Sequence, residues 1–215
     1  MRLKILQQLA ILVILSGLVL SSCKKDDEDK EAPQLWLHGS TWITLPLQGT
    51  YEEPGFEAWD KQDGELTASV VVQAQPNMNQ AGLQKIVYTV ADKALNSDTA
   101  YRYVEVVNSS RSFEGAVQGK LVDPYPGTEP LVYTDEIVLS ETVNHELTIK
   151  NFANEAGSNV RIILNHDPAK YGTVDFVSAD GLTMIEGSFS AAAIAIRYEK
   201  AGGGEAVVQL TKINQ

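Results

Sequence analysis

Cysteine is nearly absent from this chain: its 215 residues hold one, Cys23. A single thiol excludes an intramolecular disulfide, a cysteine-rich zinc site and a dithiol redox pair. Proline is sparse at 8 residues, and charged residues make up only 21% against 44% apolar, a globular composition rather than a disordered or collagenous one. Cations are scarce too, with 17 Lys and Arg facing 28 Asp and Glu for a net charge of −11. Arg2 and Lys4 are the only charges before Cys23, so the remainder carries −13. A body this acidic has no electrostatic hold on nucleic acid, which is excluded as a partner. Catalytic spacing is missing as well. His38, His145 and His166 form no H-x-x-x-H pattern. Gly202-Gly203-Gly204 lacks the Lys and Ser/Thr of a phosphate loop and reads as a turn between strands. The acids single out no glycosidase pair. The sequence reads as non-enzymatic.

What is present begins at the N-terminus. A basic start, Met1 to Lys4, precedes an apolar run from Leu9 to Leu20. Twelve residues rise about 18 Å as a helix, short of a hydrocarbon core of about 30 Å, so the run reads as a secretory segment rather than a membrane span. It ends in Leu20-Ser21-Ser22-Cys23, which resembles the bacterial lipobox. That resemblance implies cleavage before Cys23 and lipid attachment to it, hence a membrane partner through the anchor. Residues 1–22 are then the signal peptide, and 23–32 the lipidated Cys with an acidic tether, Lys24-Lys25-Asp26-Asp27-Glu28-Asp29-Lys30-Glu31. Such a charge run reads as a solvated spacer. Directly after the lipobox it also resembles the surface-export tag of Bacteroidetes lipoproteins, which implies the outer face of the outer membrane.

From Leu35 on, apolar residues recur with period two, as in Ile43, Leu45 and Leu47 or Ile86, Tyr88 and Val90. Turn clusters such as Asp63-Gly64 and Asn96-Ser97 separate these short runs, and no helical stripe is sustained. The pattern predicts an all-β protein. Its first part, residues 33–108, reads as a β-sandwich. Gly49-Thr50-Tyr51-Glu52-Glu53-Pro54-Gly55-Phe56-Glu57-Ala58-Trp59-Asp60, then Asp63-Gly64-Glu65-Leu66-Thr67, resemble the core motif of a bacterial immunoglobulin-like domain of the pesticidal-crystal-protein type. Gly82, Ile86-Val87-Tyr88-Thr89-Val90-Ala91-Asp92 and Arg102-Tyr103-Val104-Glu105-Val106 extend the likeness over residues 33–107. The usual Gly-containing turn after Asp92 is replaced by Lys93-Ala94-Leu95-Asn96. The family implies a spacer or binding module without catalytic residues.

Asn108-Ser109-Ser110 reads as a polar hinge, and residues 111–215 as a second antiparallel β-domain. Eight further strands are predicted there, 113–122, 131–139, 146–152, 159–165, 173–177, 182–189, 192–198 and 206–213, which favours a barrel or sandwich. Leu147 to Phe152, Gly187-Ser188-Phe189 and Ile194 to Tyr198 resemble the calycin-like C-terminal domains of small Bacteroidetes surface lipoproteins.

Two sets of residues are candidates for binding. If the alternating aliphatics face the core, Trp36, Trp42, Trp59, Tyr101 and Tyr103 turn outward. Exposed aromatic faces on a secreted β-protein can stack on sugar rings. They can equally pack beneath loops. Tyr125 lies in the stiff loop Asp123-Pro124-Tyr125-Pro126 and is a further contact candidate. Asp60, Asp63, Glu65 and Asp92 could gather around Ca2+, although Asx turns explain Asp60 and Asp63 without metal. No other cofactor is indicated. The expected function is an outer-membrane, surface-exposed lipoprotein binding a neutral glycan in polysaccharide uptake. The alternative is a structural or adhesive spacer contacting another outer-membrane protein.

Overall fold

The computed structural model describes residues 28–123 and 127–213, and among them there are strands and short 3-10 turns but no α-helix. The chain is all-β. Strands β1 (Gln34–Leu37), β3 (Phe56–Asp60) and β4 (Gly64–Glu65) form a three-stranded sheet in the order β1-β3-β4. Strands β2 (Trp42–Pro46), β5 (Val71–Gln73), β6 (Gly82–Ala91) and β7 (Ser97–Val107) form a four-stranded sheet in the order β2-β7-β6-β5. β2 runs parallel to β7 with Trp42 opposite Tyr103 and Leu45 opposite Val106. The period-two pattern sets the burial: on β7, Val104 and Val106 are buried while Tyr101 is exposed.

The described residues cluster into two compact units. One contains the chain up to Trp36, Glu57–Val71 and Thr89–Thr99; the other contains Leu37–Phe56, Val72–Tyr88 and the chain from Ala100 onward.

Within the second unit, eight strands form one antiparallel sheet. They are β8 (Gly115–Val122), β9 (Leu131–Leu139), β10 (Glu146–Ile149), β11 (Val160–Leu164), β12 (Val174–Ala179), β13 (Thr183–Phe189), β14 (Ala193–Glu199) and β15 (Glu205–Lys212). The order is β12-β11-β10-β9-β8-β15-β14-β13. The two end strands come back together through a bridge between Thr173 and Ser188 and a bond from Phe189 N–H to the Gly172 carbonyl at 2.8 Å. The result is a near-closed barrel around Ile137, Leu147, Ile162, Ile194, Ile196 and Val208, each at most 1% exposed. Two glycines permit its closeness. A Cβ on Gly119 would stand 2.3 Å from the Tyr133 ring, and one on Gly187 2.8 Å from Val174 Cβ. Phe152, wholly buried, lies edge-on to Tyr198 at 5.1 Å. It belongs to a turn in which Ala153 and Asn154 both take positive φ, and this turn ends the strand expected over 146–152 at Ile149.

In the segment expected as a hinge, Ser109 is exposed and its two neighbours are buried. Asn108 and Ser110 are 3% and 1% exposed. The Asn108 Nδ2 donates to the carbonyls of Ser140, Val143 and Glu146 at 3.1, 3.2 and 3.0 Å. Its Oδ1 accepts from the N–H groups of Ser110 and His145. One amide therefore saturates five backbone groups and pins the segment. A polar side chain this fully bonded is compatible with burial.

Candidate functional site

The site is best built outward from a charge that faces inward. Strand parity that turns the exposed Tyr101 and the half-buried Tyr103 outward turns the intervening Arg102 to the interior, where its side chain is fully buried. A guanidinium there needs every donor partnered. Its Nη2 donates to Glu53 Oε1 at 3.1 Å and to the carbonyls of His38 and Gly55 at 2.9 and 3.2 Å. Nη1 donates to the Ser40 carbonyl, and Nε to Tyr88 Oη at 3.3 Å. Glu53 also accepts from the Tyr51 and Tyr88 hydroxyls and from Gly55 N–H. Partial burial alone would raise the Glu53 pKa. The hydrogen bonds from Tyr51, Tyr88 and Gly55, then the Arg102 charge, outweigh it and hold the carboxyl below its ordinary range. Burial first, then the bond to Glu53, drives the Tyr51 hydroxyl far upward.

This buried network fixes the surface above it. Arg102 grips the His38 and Ser40 carbonyls, and Ser40 in turn accepts from Trp42 N–H at 3.1 Å and donates to its carbonyl at 2.6 Å. Trp42 and Tyr103 are cross-strand partners with ring centroids 5.7 Å apart and planes inclined 31°. Trp42 is 50% exposed and Tyr101 45%. Lys85 Nζ lies 4.9 Å above the Tyr101 ring, and Thr44 Oγ1 donates to Glu105 Oε2 at 3.1 Å. The outcome is an exposed aromatic strip with hydroxyl, carboxylate and ammonium groups beside it.

The other predicted aromatics fall elsewhere. Trp36 on β1 and Trp59 on β3 are exposed, but they belong to the three-stranded sheet. The three tryptophans are thus divided between two sheets. Cys23 and Tyr125 lie outside the described residues.

The acidic candidates separate likewise. Asp60 and Asp92 meet, joined by Asp29, with one carboxylate oxygen from each lying within 4.8 Å of the others. That spread suits oxygen ligands at about 2.3–2.6 Å around one calcium ion, so these three could hold it. Asp60 Oδ1 also closes an Asx turn onto the N–H groups of Gln62 and Asp63. Asp92 caps its hairpin by accepting from Asn96 N–H and Nδ2, each at 2.8 Å. Asp63 instead pairs with Lys93 at 2.8 Å, and Glu65 accepts from Thr67 N–H at 2.9 Å. Asp29, in a charged tether, carried no signal that would have grouped it with Asp60 and Asp92.

The chain also stacks two histidines that sequence spacing keeps apart. The His145 and His166 rings lie 4.1 Å apart at 23°. His166 Nδ1 faces the Leu164 carbonyl at 3.1 Å, so that nitrogen carries the proton. Burial, then the neighbouring His166, lowers the His145 pKa.

Residues 35–106 match the family described as bacterial surface protein, Ig-like domain, close to the span where the motifs place it. Among solved structures, the chain is similar to the lipoprotein BT2262 from Bacteroides thetaiotaomicron, at 17% identity and a TM-score of 0.36, covering 84% of this chain and 100% of that one. It is also similar to a structure of CBM51-2 in complex with GlcNAc and INT domains from Clostridium perfringens ZmpB. There the identity is 15% and the TM-score 0.29, over 79% of this chain and 30% of that one. No curated protein matches.

Proposed function

We propose that this chain is a non-catalytic binding module of the bacterial outer surface, held by a lipid on Cys23, and that the Trp42–Tyr103–Tyr101 strip binds a neutral glycan. The observation that carries the reading is the exposed Trp42 ring set 5.7 Å from the half-buried Tyr103 ring, on the strand that carries the fully buried Arg102. Rigid aromatic faces lose little entropy on binding, and an indole offers an apolar plane to the C–H face of a sugar. One ring gains only about 1–2 kcal/mol by analogy with aromatic pairs, so useful retention requires repeats along a polymer. The match over residues 35–106 supports a surface role, and the lipobox-like Leu20-Ser21-Ser22-Cys23 supports the anchor.

Trp42→Ala tests this reading by glycan-array retention measured beside thermal melting. A binding strip predicts lost retention with the melting temperature nearly unchanged. Early melting, or unaltered retention, assigns Trp42 to packing instead. The Asn108-pinned segment favours a second reading, an adhesive spacer that presents one rigid surface to another outer-membrane protein.

A further inference from the structure

The barrel closes at Thr173–Ser188 and then leaves a cleft of about 850 Å³. Consecutive residues of both end strands line it, 173–176 on one side and 185–188 on the other, so the unpaired edges of β12 and β13 form its walls. Ala195, Arg197 and Val207 complete it from β14 and β15. Apolar and polar groups therefore alternate along one trough of the volume typical of ligand sites.

Its charges are not balanced. Arg197 is held between Glu186 and Glu205, each at 3.1 Å, so its positive charge is already met twice. The Nε that meets Glu186 is itself closed off from solvent. Asp175 and Ser188, both lining the cleft, have no side-chain partner among the described residues. Two carboxylates line the cleft against one guanidinium, and because Glu186 is taken by Arg197 the one excess negative charge is that of Asp175.

We propose that this cleft is a saccharide subsite selective for rings bearing a free ammonium group. The proposal rests on the glycan-binding reading and adds both a second location and a ligand class. Asp175 takes the ammonium. Ser188 meets a ring hydroxyl, and Ile185, Ala195 and Val207 cover the C–H faces. An anionic sugar meets like charge here and is rejected. Phe176 and Val174, packed at Gly187, keep the end strands close, so a ligand lies along the seam rather than entering as another strand.

A matched pair of ligands tests the idea: β-1,4-linked glucosamine hexaose and its fully N-acetylated counterpart, which share rings and linkage but differ in charge. The full chain in a non-glycosidic detergent is titrated with each at about pH 6, where a primary amine is protonated. The glucosamine oligomer is expected to bind about tenfold more tightly or better, a difference of about 1.4 kcal/mol. Asp175→Asn removes that preference while changing the overall charge by one unit only. Ala195→Trp, on the outer side of β14, fills the cleft and abolishes the preference at an unchanged melting temperature. Equal affinity of the wild type for both oligomers overturns the proposal. So does a preference that survives both cleft variants, or no binding of either oligomer. Binding lost with Trp42→Ala but kept in both cleft variants removes the cleft and leaves the aromatic strip standing. The opposite pattern keeps the cleft and removes the strip.

Discussion

Arg102 shows how one inward residue governs an outward surface. The alternation that places Val104 and Val106 in the interior also places Arg102 there, and a lone guanidinium is tolerated only when saturated. Its acceptors are the carbonyls of the loop leading into Trp42, so the charge acts as a staple between core and binding strip. Arg102→Ala strands Glu53 and three carbonyls and is expected to cost about 3–5 kcal/mol in denaturant unfolding. Arg102→Lys should recover little, because one ammonium cannot span the same acceptors. A loss below about 1 kcal/mol would show the network to be ornamental. This residue was legible in advance, since the parity that turns Tyr101 and Tyr103 outward demands it. Reading the aromatic positions alone passes over it.

At the scale of strands, alternation is informative because one face is buried, so all eight C-terminal strands were legible to within a few residues. Their ends were less so. β8 starts at Gly115 rather than Phe113 because Arg111–Phe113 forms a 3-10 turn. Pairing was not legible at all: nothing in Trp42-Ile43-Thr44-Leu45 announces a parallel partner, and the return of β12 to β13 depends on bonds between residues distant in sequence. For the same reason the His145–His166 stack and the meeting of Asp29 with Asp60 and Asp92 emerge only from the fold. The turn segment at Asn108 offers a clean test at this scale. Asn108→Ala removes five hydrogen bonds to backbone groups and should lose about 2–3 kcal/mol, with new proteolytic cleavage near residues 108–111. Resistance equal to wild type would mean that water replaces the amide. Gly119→Ala should also destabilise, by about 1–3 kcal/mol, since the added methyl meets the Tyr133 ring; a melting temperature unchanged from wild type would show that the ring has room to move.

Across the whole molecule these local terms combine into a response to acid. Glu53 and His145 both have lowered pKa values, for different reasons: hydrogen bonds and Arg102 overcome desolvation at Glu53, while burial and then His166 disfavour the His145 cation. In each case the unfolded chain binds protons more readily than the native one, so stability must fall as pH falls. The windows differ. The His145 contribution is complete above its ordinary value of 6.5 and fades as pH drops through it, whereas the Glu53 contribution is complete above 4.5 and fades below that. The melting temperature should therefore decline in two stages on acidification. His145→Gln removes the first stage and leaves the second. The second is shared by Asp63 and Glu65, held low by Lys93 and Thr67, and includes the network beneath Trp42, so glycan retention should persist through the first stage and fail with the second. A single acid transition identical in wild type and His145→Gln would show that the stacked imidazoles play no part in the stability of the native chain.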